Sequence, residues 1–297
     1  MQDNRGKNIL QLHFIVFIFG FTSVLGALIS ISALQLTIYR MGIATLFLSI
    51  FIFLYNRNKF KLRKAIIIKI LICGIIIAIH WITFFHAIKI SNVSITVSMM
   101  SSAAFLTSLI EPLFFKKKFL IYELILGILS LFGVSIIFNA EIKYIDGLIV
   151  ALISAFLVSV FTLLNSRIVI DNSSITISFY ELLIGFLFSL SYYYFFIDTS
   201  LFLNKINKQD FLLLIILGVI CTSYAFTKSV DLIKYLKPFT IMMIINMEPI
   251  YAIIISLLIF GESEFLSINF YIGFFIILIS IVINGIFKYK KNKISYF

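Results

Sequence analysis

Two glutamate–proline pairs, Glu111-Pro112 and Glu248-Pro249, lie inside apolar stretches of this chain. A carboxylate and a helix breaker are both costly in hydrocarbon, because no water is present there to solvate a charge or a freed backbone carbonyl. Each pair falls in the fourth of five apolar stretches in its half of the chain. This repetition indicates a duplicated membrane protein with an internal binding site, which is typical of transporters.

Two further charges occupy matching places in the halves, in the pairs Tyr39-Arg40 and Tyr180-Glu181. Each pair is predicted to lie roughly 12 Å inside the membrane, measured from opposite faces. We expect both charges to border one central cavity, where they hold the carboxylate and the amine of a zwitterion or neutralise each other. In the alternative interpretation, Arg40 snorkels towards the membrane surface and Glu181 forms a local hydrogen bond.

The glutamates of the two Glu-Pro pairs differ in predicted depth. Glu248 lies roughly 16 Å into its stretch, close to the midplane, where it could bind a cation, a proton or an amine. Pro249 lacks an amide proton, so we expect a kink there that exposes backbone acceptors. A hydrogen bond between helices that steadies this kink is the alternative role for Glu248. Glu111 and Pro112 lie nearer the end of their stretch, where a gate or structural role is expected.

The third apolar stretch is aromatic and carries His80 and Trp81, two further candidates for substrate binding. Packing in the helix bundle is the alternative role for both. His80 and His86 lie about 120° apart on a helix, so they do not form a metal-binding pair. Serines on one face of the fourth stretch favour close helix packing over a substrate path. The sequence shows no catalytic motif, and we expect no metal and no cofactor.

The composition places these residues in a membrane protein. Apolar residues make up 62% of the 297 residues and charged residues 12%, with a mean hydropathy of +1.13, which excludes an ordinary soluble protein. A membrane-spanning helix needs about 20 apolar residues. The predicted spans are 10–29, 34–55, 66–88, 93–115, 120–138, 146–165, 175–197, 211–232, 237–260 and 268–287. The fold class is therefore an all-α integral membrane protein with ten transmembrane helices.

The positive charge of the chain follows its loops. The net charge is +11, and most lysines and arginines fall in loops on the side of the membrane that would hold the N-terminus. Because cytoplasmic loops are enriched in these residues, we expect both termini in the cytoplasm. The charge is explained by membrane orientation, so no nucleic-acid partner is expected.

The chain divides into two repeats of five predicted helices, residues 1–140 and residues 141–297. Local correspondences support the division, such as Ile88-Lys89 with Ile233-Lys234. Since five spans is an odd number, the second repeat must enter the membrane from the opposite side. This predicts two inverted repeats with a substrate site between them, near the midplane.

Two segments resemble a known family. Residues His80–Ser94 are similar to the junction of the third and fourth helices in EamA-type, ten-helix transporters of the drug/metabolite transporter superfamily. The run Asn246–Pro249, followed by Gly261-Glu262, is similar to their ninth helix and its end. The chain departs from the family at Phe19-Gly20, where many relatives have a tryptophan before the glycine. The first half also has no Gly-Glu pair after its fourth helix. The resemblance implies transport of amino acids or other small metabolites by alternating access.

The predicted function is that of a secondary-active transporter, with export of amino acids or similar metabolites across the cell inner (cytoplasmic) membrane. Its partners are the small-molecule substrate and the lipid bilayer. Proton coupling, if present, would depend on Glu181 and Glu248. Two alternatives remain open from the sequence: a membrane-embedded enzyme acting on lipid-linked substrates, and a channel or structural membrane subunit. The oligomeric state cannot be read from the sequence.

Overall fold

The computed structural model describes residues 5–55, 57–116, 121–170, 172–197, 206–236, 241 and 244–294, and within these ranges it contains helices and no strands. The α-helices are α1 (Arg5–Leu28), α2 (Ala33–Tyr55), α3 (Ile67–Ile90), α4 (Val93–Met100), α5 (Ser102–Phe115), α6 (Ile121–Ala140), α7 (Ile145–Ile168), α8 (Ser174–Phe196), α9 (Lys208–Ile216), α10 (Ala225–Leu232), α11 (Glu248–Phe260) and α12 (Ile268–Ile294). A π-helical segment, Leu217–Tyr224, joins α9 to α10.

Within the described residues, seven helical stretches are long and apolar enough to cross a membrane. They are Gly6–Leu28, Ala33–Tyr55, Lys64–Ile90, Val93–Phe115, Ile142–Ile168, Ser174–Phe196 and Lys208–Leu232. Three shorter apolar helices, Ile125–Ala140, Glu248–Phe260 and Ile268–Ser280, overlap the remaining predicted spans, 120–138, 237–260 and 268–287. The prediction of an all-α, multi-pass membrane protein is confirmed, whereas the number ten stays a prediction. The start of the predicted ninth span, at residue 237, lies outside the described residues.

The outer surface of the bundle is apolar. Leu54, Phe196 and Leu258 are among many large apolar side chains that are more than two thirds exposed. In water such a surface would aggregate, but in a bilayer it faces lipid tails. The interior also differs from that of a soluble protein, because Arg40 and Glu181 are buried in it.

Contacts between helix ends define two ends of the bundle. We call the end at which α1 begins the near end and the end at which α1 stops the far end. At the far end, Lys89 in the last turn of α3 donates to the carbonyl oxygen of Ile29, and the Ser30 hydroxyl donates to Asp210 at the start of α9. Gly147, at the start of α7, packs there against the loop that follows α3. Thus α1 and α3 end where α7 and α9 begin.

Three of the long stretches are irregular in the middle of the bundle. The fourth stretch divides at Ser101, between α4 and α5. The eighth contains the π-helical segment. The ninth is interrupted by a turn at Asn246 and Met247. Pro249 follows in the first turn of α11, where its missing amide proton breaks no helical hydrogen bond. The expected kink at Pro249 is therefore a break between two helical segments.

The helices α6 and α12 approach each other closely at two glycines. An ideal Cβ on Gly133 would lie 2.8 Å from the carbonyl oxygen of Gly273, and one on Gly273 would lie 2.7 Å from that of Gly133. Nearby, the hydroxyls of Ser130 and Ser280 hydrogen-bond to each other across the same interface. Small residues and interhelical hydrogen bonds are the usual means by which helices associate in lipid.

Candidate functional site

A cavity of about 110 Å³ lies in the middle of the bundle, lined by residues from both halves of the chain. Its charged and polar side chains include Arg40, His80, Asn246 and Glu248. Most of the remaining surface is apolar and includes aromatic rings. A volume of this size holds several water molecules, since one water needs roughly 10–15 Å³. The cavity therefore combines charge with an apolar wall, as small-molecule sites do.

Arg40 is the largest fully buried side chain among the described residues, with only 2% exposed. Its Nε donates to Oγ1 of Thr222 at 3.0 Å, and its guanidinium carbon lies 3.9 Å from the centre of the Trp81 ring and 5.2 Å from that of Phe85. Its Nη1 has no hydrogen-bond partner among the described residues. No carboxylate in that part of the chain forms a salt bridge with it. The guanidinium is held in place by neutral groups and keeps donor capacity for a ligand.

The π-helical segment explains why Thr222 can reach Arg40. In an α-helix a threonine hydroxyl bonds to the carbonyl four residues earlier, but here Thr222 Oγ1 donates to Leu217, five residues earlier, at 2.7 Å. Ser223 makes the equivalent bond to Gly218 at 3.0 Å. The wider turn rotates these hydroxyls towards α2. Single π-helical turns are frequently found at functional sites for this reason.

Glu248 is half-buried at the start of α11 and accepts one long hydrogen bond, 3.4 Å, from Oγ of Ser23 on α1. A carboxylate at a helix N-terminus is favoured by the helix dipole. Helix α1 can approach because Gly20 has no side chain: an ideal Cβ there would lie 2.9 Å from Cβ of Tyr251. Glu248 and Arg40 are near enough across the cavity to interact electrostatically.

His80 faces the same cavity from α3. Its Nδ1 pairs with Ser154 on α7, at 3.0 Å from the carbonyl oxygen and 2.8 Å from the hydroxyl, and that hydroxyl also reaches the His80 carbonyl at 2.9 Å. The ring is thus fixed through Nδ1, which leaves Nε2 as the nitrogen available to a ligand. Trp81, the neighbouring candidate, stacks its ring against the Arg40 guanidinium.

Three predicted site residues lie away from this cavity. Glu181 is completely buried, and its Oε1 accepts from Nδ2 of Asn165 at 2.9 Å, between α8 and α7. The Tyr180 hydroxyl donates to the carbonyl of Phe60 at 2.6 Å, near the loop between α2 and α3. Tyr39 lines a separate polar pocket of about 290 Å³ at the far end. The expected pairing of Arg40 with Glu181 around one cavity differs from this geometry, because Glu181 points to another helix interface.

Of the three remaining predicted site residues, one lines the cavity and two do not. Pro249 lines the cavity beside Glu248. Glu111 and Pro112 lie in α5 and do not line it: Pro112 is buried and Glu111 is half-buried. Within the described residues, no group of three or more histidines, cysteines, aspartates or glutamates is arranged to hold a metal ion.

Sequence reasoning missed Thr222 and Asn246 as site residues. Asn246 carried a readable signal, since it is a polar side chain in an apolar stretch directly before Glu248-Pro249. Thr222 carried none, because its orientation depends on the π-helical turn. Ser101 belongs to the serine face of the fourth stretch and is the member of that face that lines the cavity.

The two halves of the chain match the same family: residues 7–139 and residues 145–286 each match the EamA-like transporter family. The chain belongs to the EamA-like transporter family. This membership confirms the resemblance seen in the sequence and identifies a multi-pass membrane transporter. It also favours transport over enzymatic activity. The substrate and the direction of transport do not follow from it.

One named protein and one solved structure are also similar to this chain. A protein of Bacillus subtilis (strain 168) named "Uncharacterized transporter YxxF" is 22% identical over 264 residues, which cover 85% of this chain and 81% of that protein. A solved structure described as "Crystal structure of protein" is 14% identical, with a TM-score of 0.67 over 93% of this chain and 96% of that one. At this identity the structural likeness shows the shared fold.

Proposed function

We propose that this protein is a secondary-active transporter that exports amino acids or similar small metabolites across the cell inner membrane by alternating access. The observation that carries the proposal is the buried guanidinium of Arg40 on a central cavity, with an unpartnered Nη1 and no salt bridge among the described residues. A buried guanidinium that forms no salt bridge and keeps an unpartnered donor is suited to bind an anionic ligand. Small metabolites with a carboxylate are ligands of this kind.

The helix directions support an inverted repeat. The first helix of the first half, α1, ends at the far end, whereas the first helix of the second half, α7, begins there. The irregularities at Ser101 and Asn246 are separated by the same interval that relates Ile88 to Ile233. Both irregularities line the cavity. Paired, interrupted helices around a central site are the arrangement found in inverted-repeat transporters.

The described state supports alternating access because its far end is closed. Glu264, after α11, accepts from the amides of Val93 and Ser94 at 3.0 and 2.8 Å and so caps α4. Asp210 accepts from the amide and the hydroxyl of Ser30. In contrast, the cavity lining continues towards the near end through Ile233. With both termini in the cytoplasm, this state faces the cytoplasm and is ready to load a substrate for export.

Counterflow in reconstituted vesicles tests the proposal. Vesicles that contain the purified protein are loaded with one unlabelled metabolite and exposed to the labelled compound, over a panel of amino acids, organic acids, amines and nucleotide sugars. The expected result is saturable exchange of amino acids that vesicles without protein do not show. Runs with and without a pH gradient then measure proton coupling, for which Glu181 and Glu248 are the proposed groups. Absence of saturable exchange for every compound would overturn the proposal in favour of a structural or enzymatic role.

A further inference from the structure

Among the described residues, two buried side-chain donors on the central cavity have no hydrogen-bond partner. Nη1 of Arg40 and Nδ2 of Asn246 form no hydrogen bond within the described residues, although the side chains are only 2% and 4% exposed. Buried donors are almost always satisfied in folded proteins. Two unsatisfied donors on the same cavity therefore point to a ligand that offers acceptors to both.

The surroundings of these donors favour an anionic acceptor. Arg40 keeps its charge in proteins, and its planar guanidinium matches a carboxylate. Asn246 lies in the turn directly before α11 and offers its amide to the same cavity. A cation and an amide donor both stabilise negative charge. Together they form a subsite for a carboxylate group.

A site for the opposite charge lies on the same cavity. Glu248 is held by one long hydrogen bond from Ser23, and in the described part of the chain no lysine or arginine forms a salt bridge with it. A half-buried carboxylate inside a membrane protein is stabilised by a cation. The rest of the wall is apolar, with the rings of Phe161 and Phe226 stacked at 5.8 Å between centres. The ligand thus needs a carboxylate, an ammonium group and an apolar side chain.

We propose that Arg40 and Asn246 bind the carboxylate of an α-amino acid whose ammonium group binds Glu248 and whose side chain packs against Phe226. The proposal rests on the proposed transport function and deepens it. It makes Asn246 a substrate-binding residue and limits the substrates to amino acids with apolar side chains that fit a cavity of about 110 Å³. The break in the ninth stretch then has a specific use, since it places the Asn246 amide beside the cavity.

The test compares three forms of one ligand. The amino acid with the fastest counterflow is competed with its deaminated and decarboxylated analogues, which for leucine are 4-methylpentanoate and 3-methylbutylamine. Asn246→Leu replaces the amide with an apolar group of similar size. It should raise the half-saturation concentration of the amino acid and of the carboxylate analogue about tenfold, the effect of one hydrogen bond to a charged group. The half-saturation concentration of the amine analogue should change less than twofold, because this analogue lacks the carboxylate that Asn246 binds.

Matched controls separate this role from a structural one. Asn139→Leu makes the same replacement at an exposed position of α6, where the amide bonds to Ser135 at 2.8 Å in its own helix, and should leave all three ligands unchanged. If Asn246→Leu fails to reach the membrane, Asn246→Asp carries the test, since like charges repel and the carboxylate forms should weaken most.

The possible results distinguish the two proposals. If Asn246→Leu weakens the binding of all three ligands equally, or of none, the proposed carboxylate subsite is wrong and the proposed transport function is unaffected. A wild-type protein that exchanges amines or uncharged metabolites and ignores carboxylates does the same. Wild-type vesicles without saturable exchange overturn the proposed function as well.

Discussion

Replacement of Arg40 by leucine should weaken substrate binding strongly while leaving the stability of the empty protein nearly unchanged. The two effects should differ because the guanidinium is held by neutral groups in the empty protein, whereas the proposed substrate supplies an ionic partner. A residue needed only for folding would show the reverse pattern. Arg40→Leu therefore separates a binding role from a structural role in one variant.

The effect of Arg40→Leu on the free energy of unfolding is a sum of opposing contributions that nearly cancel. The hydrogen bond to Thr222 is worth about 1.5–3 kcal/mol as a bond to a charged group, and the stacking on Trp81 adds about 0.5–2 kcal/mol. Against these stands the cost of desolvating the guanidinium, which is several kcal/mol for a buried ion. The sum lies within about 2 kcal/mol of zero. We expect the melting temperature of the empty variant to stay within about 5 °C of the wild type.

The effect of Arg40→Leu on substrate affinity has no such compensation. Removal of one member of a buried charge pair costs about 2–5 kcal/mol, and the lower value corresponds to a loss of affinity of about 30-fold. Arg40→Lys keeps the charge but cannot form two parallel hydrogen bonds with a carboxylate, so its affinity should fall between those of the leucine variant and the wild type. The assay is substrate competition in reconstituted vesicles, with melting temperatures measured in detergent.

Arg57→Gln is the matched control for these variants. Arg57 is exposed and also lies over an aromatic ring, with its guanidinium carbon 4.0 Å from the centre of Phe53. Its replacement should change neither property. An Arg40→Leu protein that binds substrate within about threefold of the wild type, or that loses more than about 15 °C in melting temperature, would refute the reasoning.

Three other substitutions test separate parts of the structure. Gly133→Leu should destabilise the packing of α6 against α12 by about 1–3 kcal/mol, because even a Cβ there would lie 2.8 Å from a facing carbonyl oxygen. Gly6→Ala is the control: a Cβ at Gly6 has nothing within 4 Å, so the melting temperature should stay unchanged. Glu264→Gln should weaken the cap on α4 and so loosen the closed far end. In a cysteine-free background, a Thr22→Cys probe should then be labelled from the far side about five times faster. An unchanged labelling rate would show that Glu264 does not help to close the far end. Glu181→Gln should leave the substrate affinity within about twofold of the wild type, since Glu181 lies away from the cavity. A tenfold loss of affinity would show that Glu181 takes part in substrate binding.

The membrane class and the family could be predicted because their signals are local in sequence. Apolar runs of sufficient length determine which segments enter lipid, and His80–Ser94 and Asn246–Pro249 carry the family resemblance. Arg40 and Glu248 stood out for the same reason, since a charge within an apolar run needs no structure to be noticed. Both line the central cavity. Their binding roles stay predictions.

The orientation of Glu181 could not be predicted in this way. Its helix, α8, is apolar on nearly every side, so no amphipathic pattern indicates which face meets the cavity. The matching position of Arg40 suggested a shared cavity, but the two side chains have partners on different helices. Glu181 therefore meets Asn165 of α7, and Arg40 meets Thr222 through a π-helical turn that no sequence pattern marks.

The sequence by itself determined that this protein is a helical membrane protein with charges inside its apolar stretches, because hydropathy and the cost of a charge in lipid act residue by residue. The tertiary structure decided which charges share a cavity, that Pro249 lies in the first turn of a new helix, and that the Asn246 amide, on the cavity that Arg40 lines, has no partner among the described residues. These features depend on how each helix is rotated against its neighbours. That rotation is set by close packing at glycines and by hydrogen bonds between distant segments, which a linear pattern does not contain.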